Sequence, residues 1–354
     1  MPSLALKQLF LLSFFEIAEI ISMALGRRAG ALQPLLQSWY KAHSPTRYLD
    51  RRELLMPEQV SGLVTDLLKQ GKSYRDLFDQ VIVPLQPKGT KPPFFCIHGG
   101  PGRAIFFNLA KRLGSDQPFY GVQSVGLDGK AQPLTSFEEM AAYYIKEMRS
   151  IQPTGPYMVG GFCIGGALAI EVAHQLQAAG EKVALVAMLD THASWALEST
   201  DEASPYGLRT RLREHWKNLR KMPAKERRKY FAIRVEHLNF IIRRQFWEIG
   251  NRYYKFRKRP LPKFLWDMDS INNRAFFDYK VKPYAGKLTL IVTDQHAKRF
   301  ADNSLGWTKI PTEGLDIRVV PGLHDYILNE PHVRPYVKAL KEAVTEALES
   351  VEVA

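Results

Sequence analysis

The chain has 354 residues, long enough to bury a large core without staples, with 45% apolar and 24% charged residues. That composition excludes a wholly disordered, collagen-like or fibrous chain. Its two cysteines, Cys96 and Cys163, exclude a disulfide scaffold and point to a reducing, cytoplasmic compartment, and no Cys/His cluster has zinc-ligand spacing. The net charge of +13 is concentrated in one segment: Tyr206 to Lys263 holds 19 Lys/Arg against 4 Asp/Glu, a net of +15 that leaves −2 for the rest.

Leu4 to Leu25 is apolar and helix-prone, interrupted by Lys7, Glu16 and Glu19, and lacks the basic leader and small-residue cleavage site of a signal peptide. Its mid-segment glutamates roughly cancel the gain from transferring its Leu, Ile and Phe side chains into lipid. The expectation is a helix packed on the body or on a partner, with contact to an anionic membrane surface as the second reading and a true span as the third. Ser61 to Leu68 has the pattern of an amphipathic helix, so residues 1–81 read as an N-terminal helical extension that carries no chemistry.

The texture changes after Pro92-Pro93. The run Phe94-Phe95-Cys96-Ile97-His98 predicts a buried strand, ending in Gly99-Gly100-Pro101-Gly102 before a helix over Ala104 to Leu113. Phe119 to Val125 predicts a second strand. Ser136 to Ile151 predicts a helix, with Ser136 as N-cap and Glu139 completing a capping box. A strand from Tyr157 runs into Gly161-Phe162-Cys163-Ile164-Gly165-Gly166, followed by a helix over Ala167 to Ala178 that Gly180 stops. Val183 to Leu189, Leu288 to Thr293 and Leu315 to Val320 predict further strands. Strands alternating with helices indicate an α/β fold, a mostly parallel sheet covered on both faces.

Strand, Gly-x-Cys-x-Gly, helix is the pattern of a nucleophile elbow with Cys at its apex. A strand that reverses into a helix within two residues forces the central residue into strained backbone geometry, and neighbours without side chains let helix and strand approach. The helix N-terminus then favours a thiolate and a developing oxyanion. Cys96, inside an apolar strand, reads as an inert core thiol. A thiol nucleophile needs a base, and the base an orienter. His324, in Pro321-Gly322-Leu323-His324-Asp325 just after a late strand, stands where an α/β-hydrolase places its histidine. His98 and His174 read as structural, His215 and His237 lie in the basic segment, and His296 and His332 have no motif support. Asp190 and Asp294 each end a strand between Cys163 and His324, so chain order leaves both open as the acid.

Residues from about 82 to 345 resemble the thioesterase domains that end nonribosomal peptide and polyketide synthetases. The likeness runs through Val83 to Pro87, His98 to Gly102, Tyr120 to Gln123, Gly126 to Gly129, Gly155-Pro156-Tyr157, the elbow, Tyr284 to Lys287, Leu305-Gly306-Trp307 and Pro321 to His324. The resemblance implies an α/β-hydrolase fold over residues 82–354, with a helical lid inserted over about 195–280. It implies a substrate held as a thioester on a carrier protein's phosphopantetheine, with no cofactor of the enzyme's own. It favours Asp190 as the acid, and assigns the oxyanion N–H groups to Ile164 and Gly100, since Pro101 cannot donate. Most members of that family carry Ser at the elbow. No Gly-Gly-x-Ser attachment site appears in the first 80 residues, so the chain reads as a free-standing enzyme that recruits its acyl donor.

An acyl-Cys is a thioester and stays reactive toward amines, so transfer or cyclisation stands beside hydrolysis as an expected outcome. In the basic lid, Trp216, Tyr230, Phe231, Phe240, Phe246, Trp247, Tyr253 and Tyr254 interleave with the charges. An acidic carrier protein or synthetase is the favoured partner for this surface, ahead of an anionic membrane, a merely solvated face and, last, nucleic acid. Two rival functions remain at this stage. One is a peptidase or esterase of proline iminopeptidase type, which shares the His98 to Gly102 loop. The other is a non-catalytic carrier- or membrane-binding relative, against which the intact set of Cys163, Asp190 and His324 argues.

Overall fold

The computed structural model describes residues 80–103, 105–194, 247–298 and 303–353. The N-terminal extension up to residue 79 and most of the basic lid, with His215 and His237, lie outside the described residues. Those described fall into two compact units, one formed by 247–267 and the other by the rest.

The larger unit is built on a seven-stranded sheet in the order β1-β3-β2-β4-β5-β6-β7. The strands are β1 (Ile82–Gln86), β2 (Phe94–Ile97), β3 (Phe119–Val122), β4 (Tyr157–Phe162), β5 (Val183–Leu189), β6 (Leu288–Thr293) and β7 (Leu315–Val320). Only β1 is antiparallel to its neighbour; all other pairings are parallel. The fold is the expected α/β architecture. β2 and β6 are buried along their whole length, as strands covered on both faces must be, and this is why they read as continuous apolar runs. β1 did not announce itself by alternation: it is a short edge strand containing Pro84, tolerated where a missing N–H breaks no interior ladder.

The helices of this unit are α1 (Phe107–Leu113), α2 (Phe137–Arg149), α3 (Ile164–Ala178), α5 (Met268–Asp278), α6 (Asp294–Ala297) and α7 (Val333–Val353), while α4 (247–256) lies in the smaller one. Ser136 caps α2 as predicted, its Oγ accepting from the Glu139 N–H at 3.3 Å. Leu109 and Leu113 of α1 and Tyr336, Leu340 and Val344 of α7 join Phe94, Cys96, Met158, Ala187 and Ile291 in one buried cluster on one face of the sheet. Helices α2 and α3 pack together and α3 lies on β4 and β5. α5, within the stretch expected as lid, belongs to the larger unit: Tyr279 just beyond it donates a 2.7 Å hydrogen bond to the buried Glu171 of α3. In the smaller unit, the buried Trp247 indole donates to Leu265 O at 2.8 Å. Among the described residues no helix is long and apolar enough to cross a membrane.

Helix α3 starts directly after Cys163, three residues earlier than its apolar pattern suggested, so the turn from β4 is as tight as a chain can make it. A Cβ on Gly161 would stand 2.1 Å from Gly165 O, and one on Gly165 would stand 2.2 Å from His98 O. Gly165→Ala should therefore push α3 off the strand layer and cost about 1–3 kcal/mol, the scale of an overpacked core. Urea unfolding checks this, and a midpoint equal to that of the parent chain would contradict it.

Candidate active site

Parallel strands deliver their carboxyl ends to one edge of the sheet, where sites of open α/β folds form. Five such ends meet here. β4 turns into Cys163, whose φ of 56° and ψ of −125° place it in the strained region demanded of an elbow residue. β5 ends at Asp190, also at positive φ (53°). β6 ends at Thr293, β7 runs on to His324, and β2 runs into His98-Gly99-Gly100.

His324 Nδ1 lies 2.6 Å from Asp190 Oδ2. The other candidate, Asp294, is turned elsewhere: its carboxylate accepts from Lys298 Nζ at 3.0 Å and from the Gly322 N–H at 3.1 Å. The structure thus brings His324 to Asp190 and leaves Asp294 as a surface residue that fixes the loop before the histidine. The His324 ring stacks on Phe162, with centroids 4.9 Å apart, which holds the imidazole over the elbow. Burial disfavours the imidazolium, but hydrogen bonds to Asp190 and to Cys163 outweigh it and push the His324 pKa up to about 10. Asp190 itself is fully buried. Burial opposes its ionisation, but the neighbouring His296 imidazole, the His324 hydrogen bond and the Thr293 backbone N–H hold its carboxyl below the usual range. Thr293 donates to Asp190 Oδ1 from its backbone N–H at 2.7 Å and from its hydroxyl at 3.1 Å.

A model of the "Thioesterase domain" family matches residues 92–341. The chain belongs to the thioesterase domain family. It is 38% identical to malpibaldin synthetase of Mortierella alpina over 172 residues, which are 48% of this chain and 3% of the relative. It is 39% identical to a dimodular nonribosomal peptide synthase of Bacillus subtilis over 134 residues, 38% of this chain and 6% of that one. The chain thus spans a few per cent of the length of these relatives. Among solved structures, the NocB thioesterase domain in covalent complex with a fluorophosphonate nocardicin G analogue matches 74% of this chain and 99% of its own, with a TM-score of 0.51 and 22% identity, a likeness of fold.

In this chain the loop from His98 to Gly102 lies against the elbow: a Cβ on Gly99 would be 3.7 Å from Cys163 Cβ. The loop rests on a buried polar network. His98 Nε2 is 2.9 Å from both the Tyr144 hydroxyl and Ser124 Oγ. Asn272 of α5 donates to Ser124 Oγ and to Gly100 O, each at 2.9 Å. His98 is therefore a scaffold residue, and burial lowers its pKa to about 4, so it stays neutral. The Gly100 carbonyl is fixed by Asn272, which sets the plane of the peptide preceding Pro101. Ile164 opens α3 beside Cys163, so its N–H belongs to the first helical turn, where backbone donors point away from the helix. Cys96 is buried in β2 and burial raises its thiol pKa well above normal. His174 lies 3.3 Å from the Lys282 carbonyl, and His332 packs beside Tyr326.

Sequence reasoning missed His296. Its Nδ1 is 3.3 Å from Asp190 Oδ2, and its ring lies edge-on to those of His324 (5.3 Å between centroids) and His192 (5.8 Å). Donor atoms of Asp190, His296 and His324 come within 4.8 Å of one another. The Asp190 oxygens are engaged by Thr293 and His324. The only sequence signal for His296 is its position three residues past Thr293, whose hydroxyl caps α6 by accepting from the His296 N–H at 3.1 Å.

The Asp190–His324 pair has a defined pH window. Asp190, with its pKa depressed, contributes stability above the ordinary carboxyl value of 3.8 and loses it as pH falls. His324, raised from 6.5 to about 10, contributes fully below 6.5 and loses that contribution as pH climbs toward 10. The difference in melting temperature between the parent chain and His324→Gln should therefore be largest between about pH 4 and 6.5 and shrink on both sides. A difference that grows from pH 7 to pH 10 would refute the pairing.

Proposed function

We propose that this chain releases an acyl or peptidyl group from the phosphopantetheine thioester of a carrier protein through an acyl-Cys163 intermediate. The observation that supports it most is the raised basicity of His324, held between Asp190 and Cys163. A basic histidine beside a thiol at a helix N-terminus is placed to take the thiol proton. The Cys163 sulfur then attacks the thioester carbonyl carbon, and the carbonyl oxygen gains the negative charge. Ile164 and Gly100 N–H groups are the proposed donors to that oxyanion. As the tetrahedral adduct collapses, the bond to the pantetheine sulfur breaks and His324 passes its Nε2 proton to the leaving thiolate. Water or an amine next attacks acyl-Cys163, His324 accepts the incoming proton, and the Cys163 thiolate departs. Asp190 holds His324 in the tautomer and orientation both half-reactions need.

The donor is proposed to arrive from a carrier or synthetase, because the relatives that match this chain are named synthetases and synthases. The +15 segment from Tyr206 to Lys263 complements an acidic carrier and its phosphate.

Iodoacetamide should label Cys163 much faster than the buried Cys96 and abolish turnover, read by peptide mass spectrometry. Asp190→Asn should lower kcat by about three to four orders of magnitude, the scale of losing a triad acid, while Asp294→Asn should cost far less. Near-full activity in Cys163→Ala, or a larger loss from Asp294→Asn, would overturn the assignment.

Product fate gives a second test. A thioester has more driving force toward nitrogen than an oxyester, so an added amine, or one within the substrate, should divert a large share of product from acid to amide or ring. Cys163→Ser should shift that ratio toward acid. Free acid alone from both forms, with every amine tried, would leave hydrolysis as the whole reaction.

A further inference from the structure

Two imidazoles converge on one oxygen of a fully buried carboxylate. His324 Nδ1 stands 2.6 Å from Asp190 Oδ2 and His296 Nδ1 stands 3.3 Å from the same atom. The turn that carries His296 also supplies Thr293, whose N–H and hydroxyl donate to Oδ1. One β6–α6 junction therefore provides three of the groups around this acid. Among the described residues, the titratable side chains seen to face His296 are Asp190, His192 and His324, and Tyr336 of α7 borders the same carboxylate. Asp294, on the same helix, is turned to Lys298 and Gly322.

We propose that His296 is a positioning residue, a second imidazole that donates to Asp190 and keeps it ionised and aimed after His324 has given up its proton. The inference rests on the acyl-Cys163 reaction above. In the resting site the Asp190 charge faces an imidazolium. Once His324 has protonated the leaving pantetheine thiol, that positive charge is gone and Asp190 remains buried beside a neutral ring. A buried carboxylate in that state is costly unless its oxygens are satisfied. Thr293 and the His324 Nδ1–H stay on its oxygens, and a further donor, the His296 imidazole 3.3 Å from Oδ2, lowers that cost at the acyl-enzyme stage more than at the first attack. Without it Asp190 should take a proton at higher pH and release its hold on the His324 tautomer.

Two substitutions separate this role from packing. His296→Asn places an amide N–H about where Nδ1 stands but removes most of the ring. His296→Phe keeps the ring and removes the donor. Rapid-mixing kinetics with a chromogenic acyl thioester would read acylation and deacylation separately, intact-protein mass spectrometry would read acyl-Cys163, and the pH dependence of Cys163 alkylation would read the thiolate without any substrate. We expect His296→Phe to slow deacylation about tenfold or more, the worth of one hydrogen bond to a charged group, with a smaller effect on acylation and build-up of the adduct. The acid limb of its alkylation profile should rise by about one pH unit. His296→Asn should stay close to the parent in both. A Phe variant that behaves as the parent, or an Asn variant slower than the Phe variant, would overturn the proposal in favour of a packing role. Should the Phe variant fail to fold, slow deacylation or a shifted limb in the Asn variant counts against it equally. Absence of any Cys163 adduct in the parent would instead sink the proposed reaction, and the alkylation profiles would still decide the role of His296.

Discussion

A carboxylate with no solvent exposure must find its hydrogen bonds inside the protein, and much of this site follows from how Asp190 finds them. The backbone places it: β5 and β6 pair in register through Leu189 and Ile291, and the Asp190 N–H donates to Ile291 O at 2.8 Å. That register sets Thr293, two residues further along β6, within reach of Oδ1 from both its N–H and its hydroxyl. The other oxygen, 3.2 Å from the same hydroxyl, also accepts from the loop beyond β7. Because β4 to β7 run parallel and adjacent, each contributes its carboxyl end to the same edge, and residues 134 positions apart meet at 2.6 Å. The acid is thus a product of sheet topology before it is a product of side-chain chemistry.

The elbow imposes the second constraint. Cys163 can stand at the mouth of the helix only because Gly161 and Gly165 allow the strand, the helix and the His98 carbonyl to approach within distances no side chain permits. The His98 to Gly102 loop is held from below by Tyr144, Ser124 and Asn272, so α2, the loop after β3, and α5 all bear on the peptide that borders Cys163. Asn272 comes from the chain that returns to the body after the inserted segment. A polar network this buried is stable only when its members are satisfied together, so the loop's position is coupled to the seating of α5.

Much of this was legible in the residues, for physical reasons that differ from element to element. Doubly covered strands such as β2, β5 and β6 announce themselves as apolar runs, and the capping residue Ser136 marks the start of α2 to the residue. The elbow was legible because a steric requirement fixes its glycines locally. β1 was not, since an antiparallel edge strand of five residues with a proline has neither the run nor the alternation of a covered one. Nor was the distinction between Asp190 and Asp294 within reach of spacing: both end strands, and only the pairing of β5, β6 and β7 shows which carboxylate the histidine loop passes over. His296 was hidden for the same reason, as its meaning depends on a contact to a residue 106 positions away.

The charge state of His324 bears on the choice of nucleophile. A serine elbow works with a neutral imidazole that can take the hydroxyl proton, and a histidine pushed to about 10 would be protonated and idle beside Ser for most of the neutral range. Beside a thiol the same basicity is an advantage in the proposed reaction, because an imidazolium stabilises a sulfur anion formed next to it. The hydrogen bonds that His324 makes to Asp190 and to Cys163 hold that value against burial. In the proposed reaction, cysteine at the elbow and a strongly basic His324 are therefore two parts of one electrostatic solution. With serine in place of Cys163 the hydroxyl would still hydrogen-bond the imidazole but carry no charge near neutral pH, so less would favour the imidazolium and His324 would move toward the neutral form that an alcohol requires.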